Sequence, residues 1–360
     1  MKIAVAMSGG VDSSLGAAML KEEGHEVTGV YLDCWEEPGC KVDPNRKDAM
    51  KIGLKLGIPM KVLDFKKEYK ERVMDWFFAE VKKGRTPNPD VWCNKEIKFG
   101  MFFDWALENG FEIVATGHYA RHSPGKLGKE VWSKGYSPLT AMDSCGRLYM
   151  AKDEKKDQTY FLAMLKKQQL DKVMFPIGKM LKDEVRLEAK KRGIHVWNKK
   201  GTSGICFIGH TISFEDLLKT KIKEHEGEVV DMKGKLVGKH KGYQFYTIGQ
   251  RHGFEVKVES NESKPFFVVS KDKNKNRLVV GEKKELLRDS FEVDEWNWIG
   301  EENGQGPSLS VRIRHGGKLV EGRVEGNKVR LKEKVFGVAP GQVAVLYRGE
   351  KCLGGGVIKG

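Results

Sequence analysis

The chain opens on a short apolar run, KIAVAM (2–7), that breaks at Ser8-Gly9-Gly10 and passes at once into VDSSLGAAML, with apolar positions at helical spacing. A short buried run followed by an i, i+3, i+4 pattern predicts a strand, a tight turn and a helix. HEVTGVYL (25–32), MKVLDF (60–65) and FEIVATGHY (111–119) read as further strands, and helical periodicity covers 12–23, about 46–57, about 66–82 and 95–109. Alternation at this spacing predicts a mostly parallel sheet with helices on both faces. Ligands of such folds sit at the carboxyl ends of the strands, where the Ser8 turn and Gly117-His118 fall.

Residues 119–150 form an extended excursion rich in Gly, Ser and Pro, returning as a hairpin through GRLYMAK. Helical pattern resumes at KKDQTYFLAMLKKQQL and at 181–192. Beyond about residue 225 the texture changes to short strands between Gly, Asn and Asp turns, as in GEVVDMKGKLVG, NRLVVG, LSVRIRHGG, GRVEGNKVRL and QVAVLYRGEKCLGGGVI. That is an all-β region with near-regular turns, and no solenoid repeat is present. Two or three domains are expected, the α/β one first.

Composition narrows the class. At 360 residues, 39% hydrophobic and 32% charged, the chain reads as a soluble globular protein. No apolar run reaches the roughly 20 residues of a membrane span. Met1–Met7 is too short for a signal peptide, so the cytoplasm is the expected location. A net charge of +14 favours a polyanionic partner, although lysines beside glutamates, as in KDEVRLEAKKRG, read equally as a solvated helix face. The six cysteines (Cys34, Cys40, Cys93, Cys145, Cys206 and Cys352) contain no C-x-x-C pair. Neither a disulfide framework nor a zinc site is expected from that spacing, and no metal ligands are assigned.

Three stretches carry candidate chemistry. SGGVDSS (8–14) gathers backbone N–H groups at a helix N-terminus, which suits phosphate or pyrophosphate. It is neither a Walker A loop nor G-x-G-x-x-G, and a glycine turn with Asp12 or Ser13 capping an ordinary helix accounts for it equally well. GRTPNPDVWCNKEIKFG (84–100) holds two prolines that predict a stiff extended loop. Cys93 then stands before a helix whose first turn contains Asn94, Lys95 and Glu96, a setting that favours thiolate. A small apolar residue filling the loop–helix junction is the plainer alternative. KKGTSGICFIGH (199–210) brackets Cys206 with glycines, as either a buried strand or a loop that approaches a ligand closely.

Taken in order, SGGVDSS, GRTPNPDVWCNKEIKF, ATGHY, KKDQTYFL, GICFIG, YTIGQRHG, APGQVAVLY and LGGGVI resemble the tRNA-specific 2-thiouridylases of the ATP pyrophosphatase superfamily, over nearly the whole chain. The resemblance implies an N-terminal doubly wound, mostly parallel sheet of the PP-loop type in an ATP-binding catalytic domain (1–209). A small central domain (210–269) and a tRNA-binding C-terminal β-barrel (270–360) follow. It implies that ATP adenylates the 2-position oxygen of the wobble uridine of tRNA (the Lys, Glu and Gln acceptors), and that sulfur from a cysteine persulfide displaces AMP.

The roles implied are Cys93 as nucleophile and Cys206 as persulfide carrier, closing to a Cys93–Cys206 disulfide. ATP would be held by Ala6, Met7, Ser8, Gly9, Gly10, Val11, Asp12, Ser13, Leu32 and Gly117, with Mg2+ at the triphosphate. Asn88, Pro89 and Asp90 would face the flipped base. Lys156, Asp157, Gln158, His118, Gln342, Arg314 and His315 would contact tRNA. A sulfur-relay protein or cysteine desulfurase supplies sulfur, and nothing demands more than a monomer. Two departures stand out: His315 where the family carries tyrosine, and Gly201-Thr202-Ser203 where it carries Asp-Ser-Thr. Competing readings are another PP-loop adenylating enzyme, such as an amide-forming ligase, and a non-catalytic RNA-binding protein with ATP as a structural ligand.

Overall fold

Strands β1 (Lys2–Ala6), β2 (Glu26–Asp33), β3 (Met60–Asp64), β4 (Ile113–Ala115) and β7 (Val173–Met174) form one parallel sheet in the order 3-2-1-4-7. The direction of winding reverses at β1, so the crevice between the loops after β1 and β4 is the topological switch point. The computed structural model describes residues 1–35, 43–123, 147–201, 213–256, 265–300, 304, 306 and 309–360. Cys40, Cys145 and Cys206 lie outside them.

The helices pack on this sheet for local reasons. Helix α1 (Val11–Glu22) buries Val11, Leu15, Ala18 and Leu20. Helix α2 (Pro44–Leu56) starts at Asp43, whose side chain accepts from the Asn45 amide, and ends at Gly57 in the left-handed region. Two longer helical runs follow, α3 (66–82) and α4 (89–108), each interrupted by π-helical turns, Lys70–Asp75 and Asn94–Met101.

The α4 run corrects the expectation of an extended proline loop reaching to Cys93. Asn88 accepts from the Asp90 and Val91 amides (3.1 and 3.2 Å), and Pro89 takes the first helical position, where a missing N–H costs nothing. Cys93 is therefore the fifth residue of the helix and not its N-terminal flank.

Two other elements are shorter than their periodicity suggests. The strand in FEIVATGHY closes at Ala115: the Thr116 amide still donates to Met174 O (3.1 Å), and the chain then leaves the sheet to seat Gly117 against α1. The helix expected through KKDQTYFLAMLKKQQL is two single turns, α5 (Thr159–Leu162) and α6 (Lys167–Leu170). Asn297 Nδ2 donates to the carbonyls of Ala163 and Leu165 (3.0 and 2.9 Å), acceptors that a continuous helix would need for itself. Helix α7 (Lys182–Lys191) then packs beside α1.

Beyond a short helix, Phe214–Lys219, the described residues are β apart from 3-10 turns at Tyr243–Phe245 and Lys283–Leu286. A second sheet has the order β10-β9-β8-β12-β11, built from β8 (Gly227–Val230), β9 (Leu236–His240), β10 (Glu255–Val256), β11 (Phe267–Asp272) and β12 (Arg277–Gly281). The expected 269/270 division thus falls inside β11.

Six antiparallel strands then close a barrel in the order β13-β16-β15-β14-β17-β18, with β18 returning to β13. They are β13 (Leu287–Trp298), β14 (Leu309–Arg312), β15 (Val320–Glu325), β16 (Lys328–Phe336), β17 (Val343–Arg348) and β18 (Lys351–Ile358). Irregularities in the long β13 let its first half pair with β16 and its second with β18. The expected hairpin of the first domain, β5 (Arg121–Ser123) and β6 (Arg147–Tyr149), adds to the start of β18 through Tyr149–Lys351 and Leu148–Cys352.

Between the two sits a buried ion pair. Arg312 Nη1 on β14 lies 2.8 Å from Asp157 Oδ2, with the two side chains 9% and 1% exposed. Asp157 also accepts from the Ala151 amide (3.1 Å) and the Thr159 hydroxyl (2.9 Å), and Thr159 reaches Tyr347 OH at 3.2 Å. Removing one partner of such a pair leaves a buried charge and costs about 3–5 kcal/mol. Arg312→Met is expected to lower stability by that order in urea unfolding, and the double variant Asp157→Asn/Arg312→Met is expected to recover part of it.

Candidate active site

The first turn ends where the switch point begins. Gly10 is the N-cap of α1, and no side chain caps it, so the amides of the first turn face the crevice. Capping by Asp12 or Ser13 is thereby replaced: the Ser13 hydroxyl accepts from the Ser8 amide (3.2 Å), and the Ser14 hydroxyl donates to Gly10 O (2.6 Å). Gly9 has φ +69°, and a Cβ there would lie 2.1 Å from the Asn45 carbonyl oxygen. Opposite, a Cβ on Gly117 would lie 2.5 Å from the Ser13 amide nitrogen. Glycine at 117 is what allows the β4 loop to seat against the α1 N-terminus.

Charge is concentrated at the same place. Lys182 Nζ lies 2.7 and 2.8 Å from the two carboxylate oxygens of Asp12, and Tyr119 OH donates to Asp12 Oδ1 at 2.8 Å. Burial, then the Asp12 charge, push the Tyr119 hydroxyl well above its ordinary range, so it stays a donor. Lys199 Nζ bonds Gly9 O (3.1 Å), Asn45 Oδ1 (2.9 Å) and Asp48 Oδ2 (2.6 Å), tying the loop to α2.

Of the residues expected at the nucleotide, Met7, Gly9, Val11, Ser13 and Leu32 are buried, Ala6, Gly10, Asp12 and Gly117 are half-buried, and Ser8 is exposed. Among the described residues no group of three His, Cys, Asp or Glu side chains could hold a metal ion. A cation here would have one protein carboxylate, Asp12, and would depend on phosphate oxygens for the rest, which fits magnesium's habit.

The cysteine helix packs against the loop after β4 through aromatic rings. Phe99 on α4 stands 5.9 Å from His118 in the loop after β4, and Gln169 donates to Phe99 O. His118 is buried, with Nδ1 2.7 Å from Thr116 Oγ1. Cys93 is fully buried, in the same core as Tyr160 and Phe175. Pro89 is buried, and Asn88 and Asp90 are half-buried beside it.

The remaining expected contacts gather on the seam with the barrel. Lys156 is exposed, Asp157 is buried against Arg312, and Gln158 Oε1 accepts from the Tyr119 amide (2.9 Å). Gln342 Nε2 donates to Thr86 O (2.9 Å), holding the loop before α4. Arg314 and His315 are exposed, and the His315 ring lies 4.3 Å from Phe161. Histidine thus keeps a ring at this position. Cys206, with Thr202 and Ser203, lies outside the described residues. Cys352 is buried in β18, and burial pushes its thiol up to about 12.

Tyr119, Lys182 and Lys199 escaped the sequence reading. Lys182 belongs to the stretch read as a solvated face, yet its side chain is 14% exposed. The available signal was its position: a cation at the first residue of a helix stands at the wrong end of the helix dipole unless an anion compensates it.

A parallel sheet with an uncapped glycine turn at its switch point defines a nucleotide-binding α/β domain of the PP-loop type. Family models match along the chain in the same order: a tRNA methyl transferase HUP domain (residues 1–210), a tRNA methyl transferase PRC-barrel domain (215–282) and an aminomethyltransferase beta-barrel domain (288–358). The tRNA-specific 2-thiouridylase MnmA of Pediococcus pentosaceus is 39% identical, over 99% of this chain and 94% of that protein. The protein of the same name from Levilactobacillus brevis is 38% identical, over 99% and 95%, and that from Bacillus licheniformis 38%, over 99% and 94%. The chain belongs to the tRNA-specific 2-thiouridylase family. Among the described residues no helix is long and apolar enough to cross a membrane.

Two measurements follow from this geometry. Gly117→Ala forces a side chain into the backbone of α1 and is expected to cost about 1–3 kcal/mol, read as a lower midpoint in thermal unfolding. Burial, and then a neighbouring lysine charge (Lys98 for His118, Lys179 for His122), lowers His118 well below its ordinary value of 6.5 and His122 to about 4. The unfolded chain therefore binds protons below pH 6.5 that the folded one refuses. Stability is expected to be complete above pH 6.5 and to fall towards pH 4, by up to about 1.4 kcal/mol per pH unit for each histidine. Urea unfolding across that range checks it, with His122→Phe expected to reduce the slope.

Proposed function

We propose that the chain catalyses ATP-dependent 2-thiolation of the wobble uridine of tRNA, yielding 2-thiouridine, AMP and pyrophosphate. One observation carries the reading: Gly117 seats against the uncapped turn of α1, and the next residue, His118, packs its ring on Phe99 of the helix that holds Cys93. The phosphate turn and the thiol helix are thereby joined through one loop, in a chain that aligns over 99% of its length with a protein bearing the thiouridylase name.

The amides of the α1 first turn and Lys182 would bind the phosphates, and the buried ends of β1 and β2 would flank the nucleoside. Magnesium, held by phosphate oxygens and Asp12, would neutralise charge on the departing pyrophosphate. Adenylation turns the uridine oxygen into a leaving group. Asn88 to Asp90, at the start of the Cys93 helix, would receive the flipped base. Exposed Lys156, Arg314 and His315 along the barrel seam would meet the RNA.

Sulfur balance requires both cysteines. A persulfide on Cys206 carries the transferable sulfur, delivered by a sulfur-relay protein or a cysteine desulfurase. Attack by the Cys93 thiolate on the Cys206 sulfur forms the disulfide and expels sulfide, which displaces AMP from C2. In the alternative order, the persulfide attacks C2 first and Cys93 resolves the mixed disulfide. Either way two thiols are oxidised to one disulfide, and a dithiol reductant restores them. Cys93 is fully buried, so its helix has to move for this chemistry, and the π-helical turn directly after it is the natural place for that adjustment. ATP, tRNA and a reducible cysteine pair fit a cytoplasmic enzyme, and a monomer supplies every group named.

The test is a single-turnover reaction of unmodified glutamate tRNA with ATP, magnesium and a persulfide donor, read by mass spectrometry of digested nucleosides. 2-Thiouridine is expected from the wild type, and a fall of at least a hundredfold in Cys93→Ser and Cys206→Ser. AMP release without any thiolated nucleoside would retain the adenylating loop and sink the sulfur chemistry. An amide-forming ligase would be indifferent to both substitutions.

A further inference from the structure

Lys182 is the first residue of α7 and its ammonium grips both carboxylate oxygens of Asp12, the second residue of α1. Two helix N-termini converge there with a lysine, against two carboxylates: Asp12 on the ammonium and Asp153 on the Lys182 amide. The ammonium and the Asp12 carboxylate neutralise each other. The frame around the pair is rigid. The Lys182 amide donates to Asp153 Oδ2 (2.9 Å), and the Tyr119 ring lies 5.5 Å from Nζ while its hydroxyl holds Asp12. The side chains of Lys182 and Asp12 are 14% and 30% exposed, so both open onto the crevice.

We propose that Lys182 is a nucleotide-binding residue that exchanges partners: its ammonium leaves Asp12 for a phosphate oxygen as a metal–triphosphate brings Asp12 a cation. The exchange rests on the nucleotide site described above and adds a specific consequence to it. Each incoming ion finds its protein partner already neutralised, so a metal alone or a triphosphate alone must break the Asp12–Lys182 pair without replacing both halves. The two together replace both. Asp12 and Lys182 therefore make the crevice selective for the metal-bound nucleotide, a coupling that is reciprocal between metal and nucleotide.

The experiment uses the full chain as wild type, Lys182→Met and Lys182→Arg. Binding of Mn2+ alone is followed by the electron paramagnetic resonance of the free ion. Binding of the α,β-methylene analogue of ATP, which resists α–β cleavage, is measured by calorimetry with magnesium. Lys182→Met is expected to bind the magnesium analogue at least tenfold more weakly and Mn2+ alone at least threefold more tightly, because Asp12 has lost its resident cation. Lys182→Arg is expected to recover most of the analogue affinity. A Lys182→Met chain that binds the analogue within twofold of wild type, with a lower melting temperature, makes Lys182 a helix latch and overturns the proposal alone. Absence of saturable binding by the wild type overturns the nucleotide site and the proposal together.

Discussion

A carboxylate removed from water has to be surrounded by donors, and Asp157 is the point on which this molecule satisfies that demand. Its donors come from Ala151 and Thr159 in the first domain and from Arg312 in the barrel. The buried charge can be satisfied only while the two domains are in register. The neighbouring residues inherit the constraint. Gln158 fixes Tyr119, Tyr119 fixes Asp12, and Tyr160 donates to Val343 O (2.9 Å) on the barrel wall. The geometry of the nucleotide turn is thus continuous with the geometry of the barrel seam, although the residues involved lie more than a hundred positions apart.

Much of this architecture was legible because it depends on short-range pattern. The strand–turn–helix at the N-terminus, the α/β alternation and the change to short strands beyond about residue 225 all follow from local periodicity. What escaped depended on distant partners. The stretch 159–170 has helical periodicity, but Asn297 takes two carbonyls between its two single turns, those of Ala163 and Leu165, and no local window contains Asn297. Pro89 was misread because proline forbids helix interiors and tolerates helix starts with equal force. The deciding residue was the preceding asparagine.

The site divides in the same way. The glycine turn announces itself, since few other residues make such a turn, whereas Lys182 looks like any lysine on an acidic–basic helix. Its partner is a residue 170 positions earlier. Asp157 is the converse case. A charged residue in a stretch expected to meet RNA turns out to be 2% exposed and committed to the protein interior, while its exposed neighbour Lys156 keeps the outward position.

The strand addition that joins β6 to β18 has a consequence for how the chain is made. Tyr149 pairs with Lys351, so the hairpin of the first domain finds its partner only after about 200 further residues have left the ribosome. At roughly 5–20 residues per second, that is an interval of about 10–40 s during which β6 presents an unpaired edge. Arg121 and Arg147, on the paired strands β5 and β6, give that waiting edge a cationic border. Charge on an exposed strand discourages pairing with the wrong neighbour. The first domain is completed by a strand that is made well after the rest of it.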